Sequence, residues 1–122
     1  MRRRQWKHLA IGACALAVLG FSHIGHAAPL DEFARCLRNS PATFYGTFWC
    51  PQCDRQRQMF GRSERYLHYV ECAYDNGGGQ TPACRRARIE RYPTWEFGDG
   101  SRVTGRQSLE QLSRRSGCKL PE

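Results

Sequence analysis

The chain has 122 residues, a formal net charge of +8 and seven cysteines, enough for one small domain and not for a second. Four of the positive charges, Arg2, Arg3, Arg4 and Lys7, stand at the very start, and without them the net charge is +4. The remaining basic clusters, Arg85, Arg86, Arg88 and Arg91, then Arg114 and Arg115, read on an exported domain as a solvated face that can steer acidic partners, not as a nucleic-acid site.

Residues 1–27 read as a secretory signal peptide. A basic start precedes the apolar run Leu9 to Phe21, and Gly25-His26-Ala27 is a small-x-small pattern that places cleavage after Ala27. The run is too short for a membrane anchor, because a spanning helix needs about 20 apolar residues. The paired arginines match a twin-arginine signal poorly, and too few apolar residues precede Cys14 for a lipoprotein box, so Cys14 leaves with the signal. The domain is then 28–122 and its expected location is the periplasm.

Pro29 to Asn39 reads as a short helix capped by Asp31, with Phe33, Cys36 and Leu37 on one face. Asn39-Ser40-Pro41 ends it. Ala42 to Trp49, rich in Thr and aromatic residues, reads as a strand buried on both faces. Cys50-Pro51-Gln52-Cys53 follows, and Asp54 to Gly61 continues as a helix with Pro51 in its first turn, where proline is tolerated. Tyr66 to Cys72 reads as a second strand, Asn76 to Gly79 as a turn, and Thr81-Pro82 as the start of a short helix to Ile89. Tyr92-Pro93-Thr94 leads into a strand at Trp95 to Phe97, Asp99-Gly100 signals a hairpin, and Arg102 to Thr104 returns. A last helix spans Ser108 to Ser116. Ser108 and Gln111 form its capping box, Leu109 and Leu112 face inward, and Gly117 stops it. The order is that of an α/β domain: a central mixed sheet of about four strands flanked by helices.

The six cysteines that remain after the signal, Cys36, Cys50, Cys53, Cys72, Cys84 and Cys118, make disulfides the default in an exported chain but leave their pairing open. The Cys50–Cys53 spacing at a helix start carries specific chemistry. Cys50 would sit where unpaired backbone N–H groups and the helix dipole favour a thiolate, with Cys53 one turn inward as the resolving thiol. Half of a zinc site is the competing reading, but no second Cys-x-x-Cys and only the isolated His68 are available to complete it. A zinc site is therefore not expected, and disulfide exchange by such a pair needs no metal or organic cofactor.

The run Phe44 to Cys53, with Trp49 directly before the first cysteine, resembles the active-site strand of the thioredoxin superfamily. Tyr92-Pro93-Thr94 is similar to the superfamily's cis-proline motif. From about Phe33 to Cys118 the chain resembles the thioredoxin-like domain associated with bacterial vitamin K epoxide reductase homologues. The shared features are Phe33 to Leu37, Cys-Pro-x-Cys, Tyr69-Val70-Glu71-Cys72, Tyr92 to Trp95, Asp99-Gly100 and Gly117-Cys118. The membrane part of such fusions is absent from this sequence. Two departures stand out. Phe44 occupies the place of the buried aspartate of thioredoxins, so a proton leaving Cys53 would need water or another group such as Glu71. Tyr92 replaces a smaller residue before the cis-proline.

The resemblance implies a single thioredoxin-like domain with Cys50 and Cys53 as the catalytic pair and Trp49, Pro51, Tyr92 and Pro93 beside the substrate chain. It also implies structural disulfides Cys72–Cys84 and Cys36–Cys118, the second tying the chain ends together. The expected activity is that of an exported thiol–disulfide oxidoreductase. Its partners would be the thiols and disulfides of exported proteins and a membrane redox protein, of the vitamin K epoxide reductase type or another. The alternative is a non-catalytic binding or assembly module on the same frame. A monomer is the default.

Overall fold

The computed structural model describes residues 27–122; the signal-peptide reading falls on residues 1–26, outside them, and on Ala27. Nine elements follow in order: α1 (Asp31–Asn39), β1 (Thr43–Gly46), α2 (Pro51–Gln58), a 3₁₀ helix (Gly61–Tyr66), β2 (His68–Glu71), α3 (Pro82–Arg86), β3 (Thr94–Glu96), β4 (Arg102–Thr104) and α4 (Leu109–Ser116). The strands form one mixed sheet in the order β2-β1-β3-β4. β1 pairs parallel with β2 and antiparallel with β3, and β3 pairs antiparallel with β4. This is an α/β arrangement with one central four-stranded mixed sheet flanked by helices, as the order of elements predicts.

Side chains alternate across a strand, and the two faces of this sheet bury different clusters. On one face Phe44 and Trp95 meet Phe33, Leu37, Phe60 and Leu112, which brings α1, the end of α2 and α4 together. Phe44 and Trp95 stack with ring centroids 4.8 Å apart, and both are fully buried. Each such aromatic side chain contributes about 2–3 kcal/mol on burial. On the other face Tyr45 and Val70 pack against Cys72, Cys84 and Ile89, beneath α3.

Local signals account for most element ends. Ser108 Oγ accepts from the Gln111 N–H while Gln111 Oε1 accepts from the Ser108 N–H, closing the capping box of α4. Gly117 ends that helix in the left-handed region at φ 77°, a conformation that glycine adopts without a Cβ penalty.

Several expectations need correction. Asp31 does not cap α1: Leu30 holds that position, and Asp31 is the first helical residue. Its buried carboxylate accepts instead from the Ala28 N–H at 3.0 Å and the Ser63 hydroxyl at 2.8 Å, pinning the start of the domain to the 3₁₀ helix. The first strand is shorter than the apolar run suggested, since Phe48 and Trp49 turn outward and are 50% and 57% exposed. Tyr66 belongs to the 3₁₀ helix, not to β2. The third helix stops at Arg86, and Leu109 is only half-buried.

Two disulfides brace this frame. Cys36 is joined to Cys118 across 82 residues and Cys72 to Cys84 across 12, with Cα–Cα distances of 5.8 and 5.5 Å. Loop-closure entropy gives about 4.5 kcal/mol for the long loop and about 3 kcal/mol for the short one, in a domain with little core to spare.

Candidate active site

Cys50 stands at the exit from β1, after the turn Thr47-Phe48-Trp49, and is the N-cap residue of α2. A proline at the first helical position needs no acceptor for an N–H, so Pro51 fits there. The Cys50 sulfur accepts the backbone N–H of Cys53 at 3.2 Å, the role a serine or aspartate oxygen plays in an ordinary cap. That donor and the positive end of the helix dipole both favour negative charge on this sulfur. Cys53 is joined to Cys50, with Cα atoms 5.2 Å apart. Cys53 is fully enclosed, whereas Cys50 keeps 6% of its surface. Of the pair, only Cys50 reaches the surface.

The floor under the pair is Gly46. A Cβ at this position would lie 3.1 Å from Cys53 Sγ and 3.0 Å from Tyr69 Cε2. The sulfur and the Tyr69 ring converge on the space a side chain would fill, so one here would have to shift them by a few tenths of an ångström. Tyr69 donates its hydroxyl to Glu71 Oε2 at 2.7 Å, and burial, then this hydrogen bond, push its pKa up. Glu71 Oε1 accepts from the Phe48 and Ala73 N–H groups at 3.2 and 2.9 Å. Both oxygens of this carboxylate, which the sequence suggested as a proton acceptor, are therefore engaged: Oε1 ties down the turn before Cys50 through Phe48, and Oε2 holds the Tyr69 hydroxyl.

Around the pair the structure brings together Trp49, Tyr92 and Pro93. The Trp49 and Tyr92 rings meet edge to face with centroids 6.1 Å apart. The Tyr92–Pro93 peptide bond is cis, and Pro93 is buried. Gln80 Nε2 donates to the Tyr92 hydroxyl at 2.7 Å and to the Ile89 carbonyl at 2.6 Å, so the Cys72–Cys84 loop steadies Tyr92 from behind. Pro51 is exposed beside the sulfurs.

Gln56 belongs to this site and escaped the reading of the sequence. It is fully buried one turn after Cys53. Its Oε1 accepts from Trp95 Nε1 at 3.2 Å and from the Gln107 N–H at 2.7 Å, while its Nε2 donates to the Gln107 carbonyl at 3.1 Å. A buried amide with both ends satisfied fixes α2, and with it Cys53, to β3 and to the approach to α4. The three-residue spacing from Cys53 is the signal that could have found it, and the glutamine's polarity disguised that it points inward.

Phe44, where thioredoxins carry an acid, lies between Trp95 and the Tyr69 ring, 4.8 and 5.2 Å away. Thr47 Oγ1 is buried with no hydrogen-bond partner among the described residues. Among those residues no group of three His, Cys, Asp or Glu side chains is placed to hold a metal ion, and no helix is long and apolar enough to cross a membrane.

No family model matches the chain. Among proteins of assigned activity it is similar to the thiol-disulfide oxidoreductase LTO1 of Arabidopsis thaliana, at 38% identity over 93 residues. That match takes in 73% of this chain but only 24% of the relative, so the chain spans about a quarter of that protein's length. Among solved structures, mitochondrial thioredoxin 3 of Saccharomyces cerevisiae, in its oxidised form, is similar over 75% of this chain and 91% of that one. The TM-score is 0.43 and the sequence identity 16%.

Proposed function

We propose that the chain is a thiol–disulfide oxidoreductase that works through Cys50 and Cys53 on exported proteins. The observation that carries the reading is the cap geometry: the less buried sulfur accepts a helix N-terminal N–H, and the enclosed one lies directly behind it. The similarity to a plant thiol-disulfide oxidoreductase supports the same class of chemistry.

In the reducing direction the Cys50 thiolate attacks one sulfur of a substrate disulfide. That bond breaks, a mixed disulfide forms, and the other substrate sulfur leaves as a thiolate and takes a proton from water. Cys53 then loses its proton and attacks Cys50 Sγ, which closes the Cys50–Cys53 disulfide and releases the second substrate thiol. Two electrons pass from the pair to the substrate. The oxidising direction is the same sequence reversed, and a membrane redox protein would reset the pair. Trp49 and Tyr92 form a rim along which an extended substrate chain would lie, with Pro93 buried behind Tyr92 and Pro51 exposed next to Cys50. Export by the signal at residues 1–27 places this chemistry in the periplasm, where disulfides persist.

A Cys53→Ser variant should accumulate mixed disulfides with exported proteins through Cys50, and a Cys50→Ser variant should accumulate none. Equal activity of Cys50→Ser and the parent would instead mark the chain as a non-catalytic module. The potential of the pair, read by equilibration against glutathione, sets direction: about −120 mV marks a disulfide donor and about −270 mV a reductant.

A further inference from the structure

Beside the cis-proline lies a groove of about 290 Å³ lined by Arg88, Ile89, Glu90, Arg91, Thr94, Arg102 and Thr104. The strand register sets its place. Thr94 stands opposite Tyr45 on β1 and opposite Thr104 on β4, and Arg102 stands opposite Glu96, so the groove runs along β3 and β4 from the residue that follows the cis-proline. Arg91 precedes Tyr92, whose ring touches Trp49, and its carbonyl accepts the Thr94 hydroxyl at 2.7 Å. The arginine backbone is thus tied to the start of β3.

The charges here are not balanced within the molecule. Arg102 pairs with Glu96, and Glu90 is the one acid among the lining residues. Among the described residues neither Arg88 nor Arg91 forms an ion pair, and both are exposed.

Arg88 also occupies a costly position. The Ile89 N–H bonds back to the Cys84 carbonyl and the Arg88 N–H to that of Arg85, each at 3.0 Å, which is a complete Schellman ending of α3. In that ending the residue after the cap is left-handed, the place glycine fills most cheaply, and here it is Arg88 at φ 54°. A cation is kept where the backbone favours a residue without a side chain, and it lines the groove.

We propose that this arginine-lined groove takes an acidic segment of the polypeptide whose cysteines exchange with Cys50 and Cys53. The inference rests on the oxidoreductase reading and adds the chemistry of the partner: aspartate or glutamate side chains a few residues from the reacting cysteine. Carboxylates there would face Arg88 and Arg91 while the cysteine reaches Cys50 past Trp49 and Tyr92. Such complementarity acts mainly on encounter, and salt screens it.

The test uses three synthetic disulfide peptides that differ only in flanking residues: aspartate and glutamate, serine and glycine, or lysine. At low ionic strength the acidic peptide should exchange about tenfold faster than the neutral one, and the difference should shrink as salt rises. In Arg88→Gly combined with Arg91→Ala the advantage should fall below about twofold. Arg88→Gly alone should leave the melting temperature unchanged or raised, which separates lost charge from lost folding. Equal, measurable exchange rates for the three peptides, or an acid preference that survives both substitutions, would overturn the groove. A cysteine-free, dye-labelled acidic peptide titrated into the parent and the double variant tests the surface without redox chemistry. Equal binding to both overturns the proposal. If that peptide binds the parent better and no peptide exchanges disulfides, the groove stands and the oxidoreductase reading fails.

Discussion

Replacing Gln56 with alanine should unlock the helix that carries Cys53. The side chain satisfies three buried groups from distant segments: the Trp95 indole N–H, the Gln107 N–H and the Gln107 carbonyl. Each buried group left without a partner costs about 1 kcal/mol or more, and the void left by the amide adds to that. The expected loss is about 3–5 kcal/mol, a large share of the roughly 5–15 kcal/mol that holds a domain together. For a domain of this size it corresponds to a fall in melting temperature of roughly 15–25 °C. Urea unfolding followed by tryptophan fluorescence suits the measurement, because Trp95 is fully buried and donates to Gln56 while Trp49 is already exposed. A double-mutant cycle with Trp95→Phe, which removes the indole donor, should return a coupling of about 1 kcal/mol. A destabilisation below about 1 kcal/mol would refute the reasoning, since it would mean that water or a small shift of the loop satisfies all three groups.

Two further outcomes follow from the same geometry. Gly46→Ala would place a methyl group 3.1 Å from Cys53 Sγ and 3.0 Å from the Tyr69 ring, so it should cost about 1–3 kcal/mol and shift the potential of the Cys50–Cys53 pair; an unchanged potential and melting temperature would show that the floor yields. At Asp31, burial acts to raise the pKa, but the Ser63 hydroxyl, the Ala28 N–H, Arg65 and Arg35 together outweigh it and hold the carboxyl below its usual range. A depressed folded-state value gives stability that is present above the unfolded value, about 3.9, and is lost as pH falls through the folded one. Asp31→Asn should therefore flatten the acid limb of a stability–pH curve below about pH 4. An unaltered acid limb would place the titration elsewhere.

The sequence by itself determined the features whose causes lie within a few residues. The Cys50–Cys53 spacing at a helix start, Pro51 in the first turn, the Ser108–Gln111 box, Gly117 and the Asp99-Gly100 hairpin each depend on backbone groups one turn apart, so neighbouring residues specify them. The order of strands and helices followed from the same local signals, and with it the α/β class. Tertiary structure alone decided the rest. Gln56 meets Trp95 and Gln107 across 39 and 51 residues, and Asp31 meets Ser63 across 32. Polar residues in such pairs read as surface until the partner segment is known. Phe48 and Trp49 continue an apolar run, yet they turn outward because β1 ends at Gly46. The arginine groove likewise exists only once β3 and β4 pair and α3 ends beside them. Short-range hydrogen bonds are written in adjacent residues, whereas the burial of a polar group or the gathering of charges depends on which distant segments pack together.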